Sequence, residues 1–245
     1  MSRFDLTIVI PAYKEEKRIG KTLDTLSDFV KKELGHLKTE IVVVSADSSD
    51  KTREVAQKKA AKFTNFKLLK SDLSPGKGRH VQHGMLRAQG EAVMFMDADL
   101  ATPLRHLPKF YNAYKQGYDV VIATRNLRRH HPGYARRLLS NTGNLIFRLA
   151  GGVVVEDSQC GFKLFSQKAA NVCFSKLTIM RWGFDMEVLA IAHANKLSLK
   201  TYRINDWVSM PDGPFATERL LKNSLVSLMD LARIFKNRIL RSYIK

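Results

Sequence analysis

Apolar positions along this chain switch between two periods. Asp5–Ile10 (DLTIVI) is a short continuous apolar run that stops at Pro11. Ile19, Leu23, Leu26, Val30 and Leu34 then return every three or four positions. The first pattern predicts a buried strand and the second an amphipathic helix. The same exchange continues through residue 125. Strands are predicted at Glu40–Val44, Phe66–Lys70, Ala92–Met96 and Val120–Ala123. Helices are predicted at Ser49–Lys62, with Ser49 or Asp50 as N-cap, at Gly78–Gln89, and at Pro103–Gln116 with its proline near the start. Strands separated by single helices require right-handed crossovers, so an α/β fold follows: a mostly parallel sheet with helices on both faces.

Past residue 125 the pattern loosens. A short strand is predicted near Cys160–Phe165, a helix near Phe184–Ala194, a strand near Leu199–Ile204, and a long helix from about Thr217. No linker rich in Pro or Ser, no low-complexity segment and no repeat interrupts the chain. The reading is one domain over 1–212 and a C-terminal amphipathic extension over 213–245.

Composition then narrows the function. The 245 residues carry 41 basic against 23 acidic side chains, a formal charge of +18. An excess of that size attracts an anionic partner: nucleic acid, a phospholipid surface or a phosphorylated substrate. No run approaches the ~20 apolar residues of a membrane span. The N-terminus has no apolar signal core, and two cysteines, Cys160 and Cys173, make no disulfide framework. The expectation is a cytoplasmic chain, peripheral on a membrane if it meets one.

Ligands of open parallel sheets bind beyond the carboxyl ends of the strands. Five predicted strand ends or following loops carry chemistry here: Pro11–Glu16, Ser45–Asp50, Pro75–Gly78, Asp97–Asp99 and Thr124–Arg125. Asp97 and Asp99, one residue apart at a rim, suit a hard divalent cation such as Mg²⁺ or Mn²⁺, which takes carboxylate and phosphate oxygens. Gly76-Lys77-Gly78 opens a helix, where glycines allow close backbone approach and lysine supplies a point charge to a phosphate. Its spacing is not that of a P-loop. Tyr13 is placed to stack on a base, or else to pack in the core. His130-His131 lacks a third ligand at helical spacing and is not read as a metal site. Residues 125–148 hold six arginines and no acid.

The ordered set Ile10–Glu16 (IPAYKEE), Gly76-Lys77-Gly78, Asp97–Leu100 (DADL), Asp157–Lys163 (DSQCGFK) and Arg181–Asp185 (RWGFD) resembles the inverting family 2 glycosyltransferases of GT-A (Rossmann-like) fold. Within them it is similar to the dolichyl- and polyprenyl-phosphate hexosyltransferases, and most of all to those that transfer glucose. The likeness covers roughly residues 5–210. It implies transfer of a hexose, glucose favoured, from a nucleotide sugar, UDP favoured, to an isoprenoid phosphate with inversion at the cytosolic face of a membrane. It implies that Pro11, Ala12, Tyr13 and Glu15 line the nucleotide pocket and that Asp97 and Asp99 hold a divalent cation and the diphosphate. Lys77 would sit by the nucleotide sugar and Arg125 by the phosphates. Asp157 would lie beside acceptor and donor sugar, and Trp182, Phe184 and Asp185 would shape the sugar pocket. Asp157, Asp99 and Lys77 are the expected catalytic residues.

Two departures stand out. Where the family has Asp-Asp-Gly-Ser after the second strand, this chain has Ser45-Ala46-Asp47-Ser48, leaving Asp47 to grip the base. Ala101 occupies the position where mannosyl relatives place a Gln, which tilts the reading away from mannose.

An acceptor that is itself a phosphate needs a separate cationic site, and Arg136 and Arg137 are the candidates, because guanidinium forks bind phosphate in a planar bidentate mode. In the last helix Leu221, Leu225, Leu228, Ala232, Phe235, Ile239 and Tyr243 form an apolar stripe among Arg233, Lys236, Arg238, Arg241 and Lys245. Such a helix packs on the domain, or fits an anionic membrane surface or a membrane-embedded partner subunit. Two other classes compete: a basic nucleic-acid-binding protein, against which the strand-end carboxylates argue by repulsion, and a catalytically inactive membrane scaffold of the same fold.

Overall fold

The structure is a computed structural model that describes residues 3–46, 50–71, 76–126, 150–208 and 217–244, with backbone alone for 217–225. Its elements follow the predicted order: β1 Phe4–Ala12, α1 Ile19–Glu33, β2 Thr39–Ala46, α2 Thr52–Lys59, β3 Phe66–Ser71, α3 Lys77–Met85, β4 Gly90–Met96, α4 Leu107–Lys115, β5 Val120–Arg125, β6 Phe162–Ser166, α5 Gln167–Ser175, α6 Phe184–Ala194, β7 Leu199–Ile204 and α7 Thr217–Ile239. Short 3₁₀ turns extend α2 to Lys62 and precede α4. Helix α5 has no counterpart in the predicted elements. It is opened by Ser166, whose hydroxyl accepts the Ala169 N–H at 3.1 Å, a capping serine legible in hindsight.

The strands form one sheet in the order β3-β2-β1-β4-β6-β5-β7. Every pairing is parallel except those of β6, which runs antiparallel between β4 and β5. Periodicity reports which residues are buried and not which way a strand runs, so this reversal was not visible in the sequence. Because both faces are covered, alternate residues of β1 enter different cores: Leu6, Ile8 and Ile10 join one with α1 and α4, while Val9 joins another with α3, α5, α6 and α7. The second core is built around Phe95, whose ring meets Phe165, Phe174 and Phe184 with centroids 5.7–6.3 Å apart.

Helix α7 belongs to that second core. Leu231, Ile234 and Tyr243, the last in the turn beyond the helix, are buried, and the Arg238 guanidinium donates to the Ala150 carbonyl at 3.0 Å. This corrects the predicted stripe. Of its members Tyr243 points inward, whereas Leu228, Ala232, Phe235 and Ile239 face outward. The helix has two apolar faces about one residue, or 100°, apart, and periodicity alone does not say which one the body covers. The side chains of Leu221 and Leu225 lie outside the described residues.

Candidate active site

The carboxyl ends of β1, β4 and β5 and the N-terminus of α3 meet at one rim of the sheet. At the end of β1 the chain turns through Lys14 in the left-handed region, at φ 56°. Two contacts staple this turn to the start of α2. The Glu15 N–H donates to the Thr52 hydroxyl at 2.8 Å, and the Glu16 N–H donates to the Asp50 carboxylate at 3.3 Å. Asp50 also accepts the Thr52 N–H at 3.2 Å and so opens α2. Ala12 is buried, Pro11 half-buried, and Tyr13 is exposed at the mouth. Tyr13 is therefore free of the core. The Glu15 carboxylate is held by Arg18 Nε at 2.8 Å.

Strand β4 delivers Asp97 and Asp99. The Asp97 N–H donates to the Gly161 carbonyl at 3.1 Å, and a Cβ on Gly161 would stand 2.1 Å from Asp97 Oδ2. Gly161 of the DSQCGFK segment therefore makes room for the Asp97 side chain. Asp99 Oδ1 accepts the Ala101 N–H at 3.0 Å, and Leu100 bends the chain at φ 54°. Burial raises the carboxyl pKa of both Asp99 and Glu15, and the charge of Asp97 pushes each the same way. Three acids thus share one field. Lys77 reaches into it, its ammonium 2.6 Å from Asp97 Oδ1 and 5.0 Å from the centre of the Trp182 ring. Burial opposes the Lys77 charge, but Asp97 and Asp185 outweigh it and raise its pKa.

Among the described residues no three His, Cys, Asp or Glu side chains form a metal cage. Asp97 and Asp99 would supply two carboxylates, with the remaining positions left to phosphate oxygens and water. An all-oxygen pair beside a third acid fits a hard cation and no soft one.

The glycines beside Lys77 have a different duty from the expected one. A Cβ on Gly76 would lie 2.3 Å from the Met180 carbonyl oxygen, and one on Gly78 would lie 2.6 Å from Phe184 Cβ. The N–H groups of Gly78 and Arg79 donate to the carbonyls of Arg181 and Met180 at 3.3 and 3.1 Å. These glycines seat α3 against residues 179–184, and the N–H groups of Gly78 and Arg79 are spent there.

Arg125, at the end of β5, forms a two-pronged ion pair with Asp157: Nε to Oδ2 at 2.6 Å and Nη2 to Oδ1 at 3.0 Å. Asp157 is 3% exposed and also accepts the N–H groups of Arg125 and Gln159 at 3.1 and 3.0 Å. Burial alone would raise its pKa, but Arg125 more than offsets this and holds it below the ordinary carboxylate range. With four donors on its two oxygens, Asp157 is spent on holding Arg125, which lies against the Trp207 ring at 5.3 Å.

The RWGFD residues divide. Trp182 is 70% exposed and lines the opening beside Lys77. Phe184 is fully buried against Phe95, and Asp185 is buried in an ion pair with Lys163. Of the three residues expected to shape the sugar pocket, only Trp182 is exposed; the core encloses Phe184 and Asp185. Lys163 is a buried charge to which the motif reading gave no role. It is fully buried, donates to the Cys160 carbonyl at 2.7 Å, and links Asp185 to β6. A lysine within the apolar run Phe162–Phe165 was its signal. Cys160 is buried, its thiol pKa pushed up to about 11 by burial, which suits packing and not nucleophilic attack. Asp47, Arg136 and Arg137 lie outside the described residues.

A mostly parallel sheet with acids, one lysine and a locked arginine at its carboxyl rim is the frame of an enzyme that handles an anionic, phosphate-bearing ligand. The model of the family "Glycosyl transferase family 2" matches residues 7–174, and the chain belongs to that family: it is a glycosyltransferase. A dolichyl-phosphate beta-glucosyltransferase of Trichomonas vaginalis is 29% identical over 241 residues, covering 94% of this chain and 72% of that protein. A second from the same organism is 34% identical over 198 residues, covering 76% of this chain but 61% of that protein. The human dolichyl-phosphate beta-glucosyltransferase is 30% identical over 215 residues, covering 82% and 66%. The fold is that of glucosyl-3-phosphoglycerate synthase from Mycobacterium tuberculosis, solved with UDP. The TM-score is 0.72 at 18% identity, over 96% of this chain and 81% of that one.

Proposed function

We propose that this chain transfers glucose from UDP-glucose to an isoprenoid phosphate of the dolichyl class, with inversion, at the cytosolic surface of a membrane. The observation that carries the reading is the pairing of Lys77 with Asp97 beside Asp99 at the end of β4. Relatives named for glucosyl transfer to dolichyl phosphate support the substrate class. The synthase that shares the fold was solved with UDP and with Mn²⁺ or Mg²⁺, which supports the donor and the cation.

The chemistry exchanges one glycosyl–phosphate bond for another. An acceptor phosphate oxygen attacks the anomeric carbon from the face opposite the diphosphate, and the carbon–oxygen bond to the diphosphate breaks with its electrons moving to the leaving phosphate. The acceptor is already an anion near neutral pH. It needs no strong base, in keeping with an Asp157 whose oxygens are all engaged. Asp97 and Asp99 would hold a divalent cation, which supplies positive charge to the diphosphate. Lys77, paired with Asp97, adds a second charge already oriented before the ligand arrives. Trp182 walls the opening. Arg125, fixed by Asp157, offers an unmoving cation to a phosphate. Arg136 and Arg137 remain our choice for the acceptor phosphate.

Contact with the membrane is assigned to α7. Its outer face presents Leu228, Met229, Phe235 and Ile239 with Arg233 and Lys236 exposed among them, and the turn beyond it exposes Leu240, Arg241 and Ile244. Among the described residues no helix is long and apolar enough to cross a bilayer. Apolar and basic residues on one outer face suit an interfacial helix on anionic lipid.

The reading is tested by thermal melting with nucleotide sugars and Mn²⁺. UDP-glucose should raise the melting temperature by mass action more than GDP-mannose does. Asp99→Asn should melt near the wild-type temperature without ligand and lose the UDP-glucose shift. Equal stabilisation of Asp99→Asn in the presence of EDTA would remove the cation site from these aspartates.

A further inference from the structure

The turn beyond α7 is linked to the start of α3, where Lys77 stands, by hydrogen bonds to Glu187 and through the backbone of residues 178–181. Tyr243 follows the helix, and its hydroxyl donates to Glu187 Oε1 at 2.9 Å. Its carbonyl accepts from Lys176 Nζ and Asn195 Nδ2, both at 2.8 Å, which fixes the turn. Glu187, on α6, is fully buried and accepts three further bonds: from the Thr178 hydroxyl at 2.6 Å, the Thr178 N–H at 2.9 Å and the Ile179 N–H at 2.6 Å. The next two carbonyls along that segment, Met180 and Arg181, accept the first N–H groups of α3. Gly76 and Gly78 pack against the same segment so closely that neither has room for a Cβ. Lys77 stands between those two glycines.

Among the described residues no cation pairs with Glu187. A carboxyl group buried in an apolar core costs stability relative to an apolar side chain of the same size unless its bonds achieve something else. Here the bonds hold one segment, residues 178–181, and that segment carries the helix turn from which Lys77 projects. We infer that Glu187 and Tyr243 are positioning residues for Lys77: through residues 178–181 they fix the reach of its ammonium and so the affinity for the donor diphosphate. The inference rests on the reading of Lys77 as the donor-site lysine. It also gives α7 a second duty, since the helix whose outer face is assigned to lipid ends in the residue that sets the donor site.

The test is calorimetric titration of UDP, with Mn²⁺, into the full chain and its variants. Lys77→Ala should weaken UDP binding. Tyr243→Phe keeps the ring and removes one buried hydrogen bond, and Glu187→Gln keeps the shape and weakens several. Each should weaken UDP binding by about threefold to tenfold, the range expected for one lost or weakened hydrogen bond. Added to Lys77→Ala, Tyr243→Phe should have no further effect, because it acts through the group already removed. In steady-state assays the donor KM should rise while the acceptor KM stays put. A merely structural role lowers the melting temperature without this split. Wild-type UDP affinity in Tyr243→Phe and Glu187→Gln, or the same loss with and without Lys77, overturns the inference. Unchanged affinity in Lys77→Ala itself removes the donor-site reading beneath it, and the inference with it.

Discussion

Single residues in this site fall into those that line the opening and those buried beneath it, and the sequence did not separate the two. Asp97, Asp99, Lys77, Tyr13 and Trp182 stand at the opening, as their motif positions suggested. Asp157, Phe184 and Asp185 belong to the same motifs but are buried, because a motif records which residue types recur and not which atoms reach solvent. Gly161 shows how strict the holding is. Gly161→Ala places a methyl group on top of the Asp97 carboxylate, whose displacement by about 1 Å should lower kcat/KM by about 100-fold, while circular dichroism shows an unchanged fold. The Arg125–Asp157 pair makes a prediction in pH. Breaking a buried pair by removing one partner costs about 3–5 kcal/mol, so Asp157→Asn should lose that much stability at pH 7. The Asp157 carboxyl is held below its unfolded value. Its contribution is therefore complete above about pH 4 and is lost as pH falls further, through the lowered folded value. Denaturant titrations should show the gap between wild type and Asp157→Asn narrowing on the acid side of pH 4. A constant gap would take the charge of Asp157 out of the account.

At the scale of elements, the strands and helices up to residue 125 were legible because the central strands are short apolar runs buried on both faces and the helices between them bury one face each. Three features were not. The reversal of β6 is a matter of connection, helix α5 begins at a lone capping serine, and α7 has two apolar faces of which the body covers one. The last point changes how the membrane is tested. Removing α7 and the turn beyond it would take Ile234 and Tyr243 from the core, so loss of binding in a truncated chain would say little. Substitutions on each face separate the duties. Ile234→Ala should cost about 2–5 kcal/mol of stability, as large-to-small core changes do. Phe235→Glu with Ile239→Glu, on the outer face, should leave stability within about 0.5 kcal/mol and reduce sedimentation with anionic vesicles at least about tenfold. Undiminished sedimentation of that pair would return the outer face to a protein partner.

Across the whole molecule, the proposed function gives the charge of +18 and the acids at the sheet rim separate duties. On that proposal the rim acids hold a cation and Lys77 meets the diphosphate, whereas a lipid phosphate lying in an anionic surface calls for a broadly basic body. Vesicle binding should accordingly weaken as salt rises past the point where the Debye length, about 8 Å at physiological ionic strength, falls below the spacing of the surface charges. The overall class was readable because separated motifs fall at the ends of successive strands, three of which meet the start of α3 at one rim. The sugar and the nucleotide were not, since the segment after β2 departs from its family and Asp47 falls outside the described residues. The most direct measurement is therefore the reaction itself: UDP-glucose labelled in the sugar, incubated with a dolichyl-class isoprenoid phosphate and Mn²⁺, with the organic phase analysed by mass spectrometry and its anomeric configuration by NMR. The account predicts one hexose per lipid phosphate in the β-configuration, absent in EDTA and in Asp99→Asn. Label that stays in the aqueous phase with every isoprenoid phosphate offered, or a lipid product of α-configuration, would contradict it.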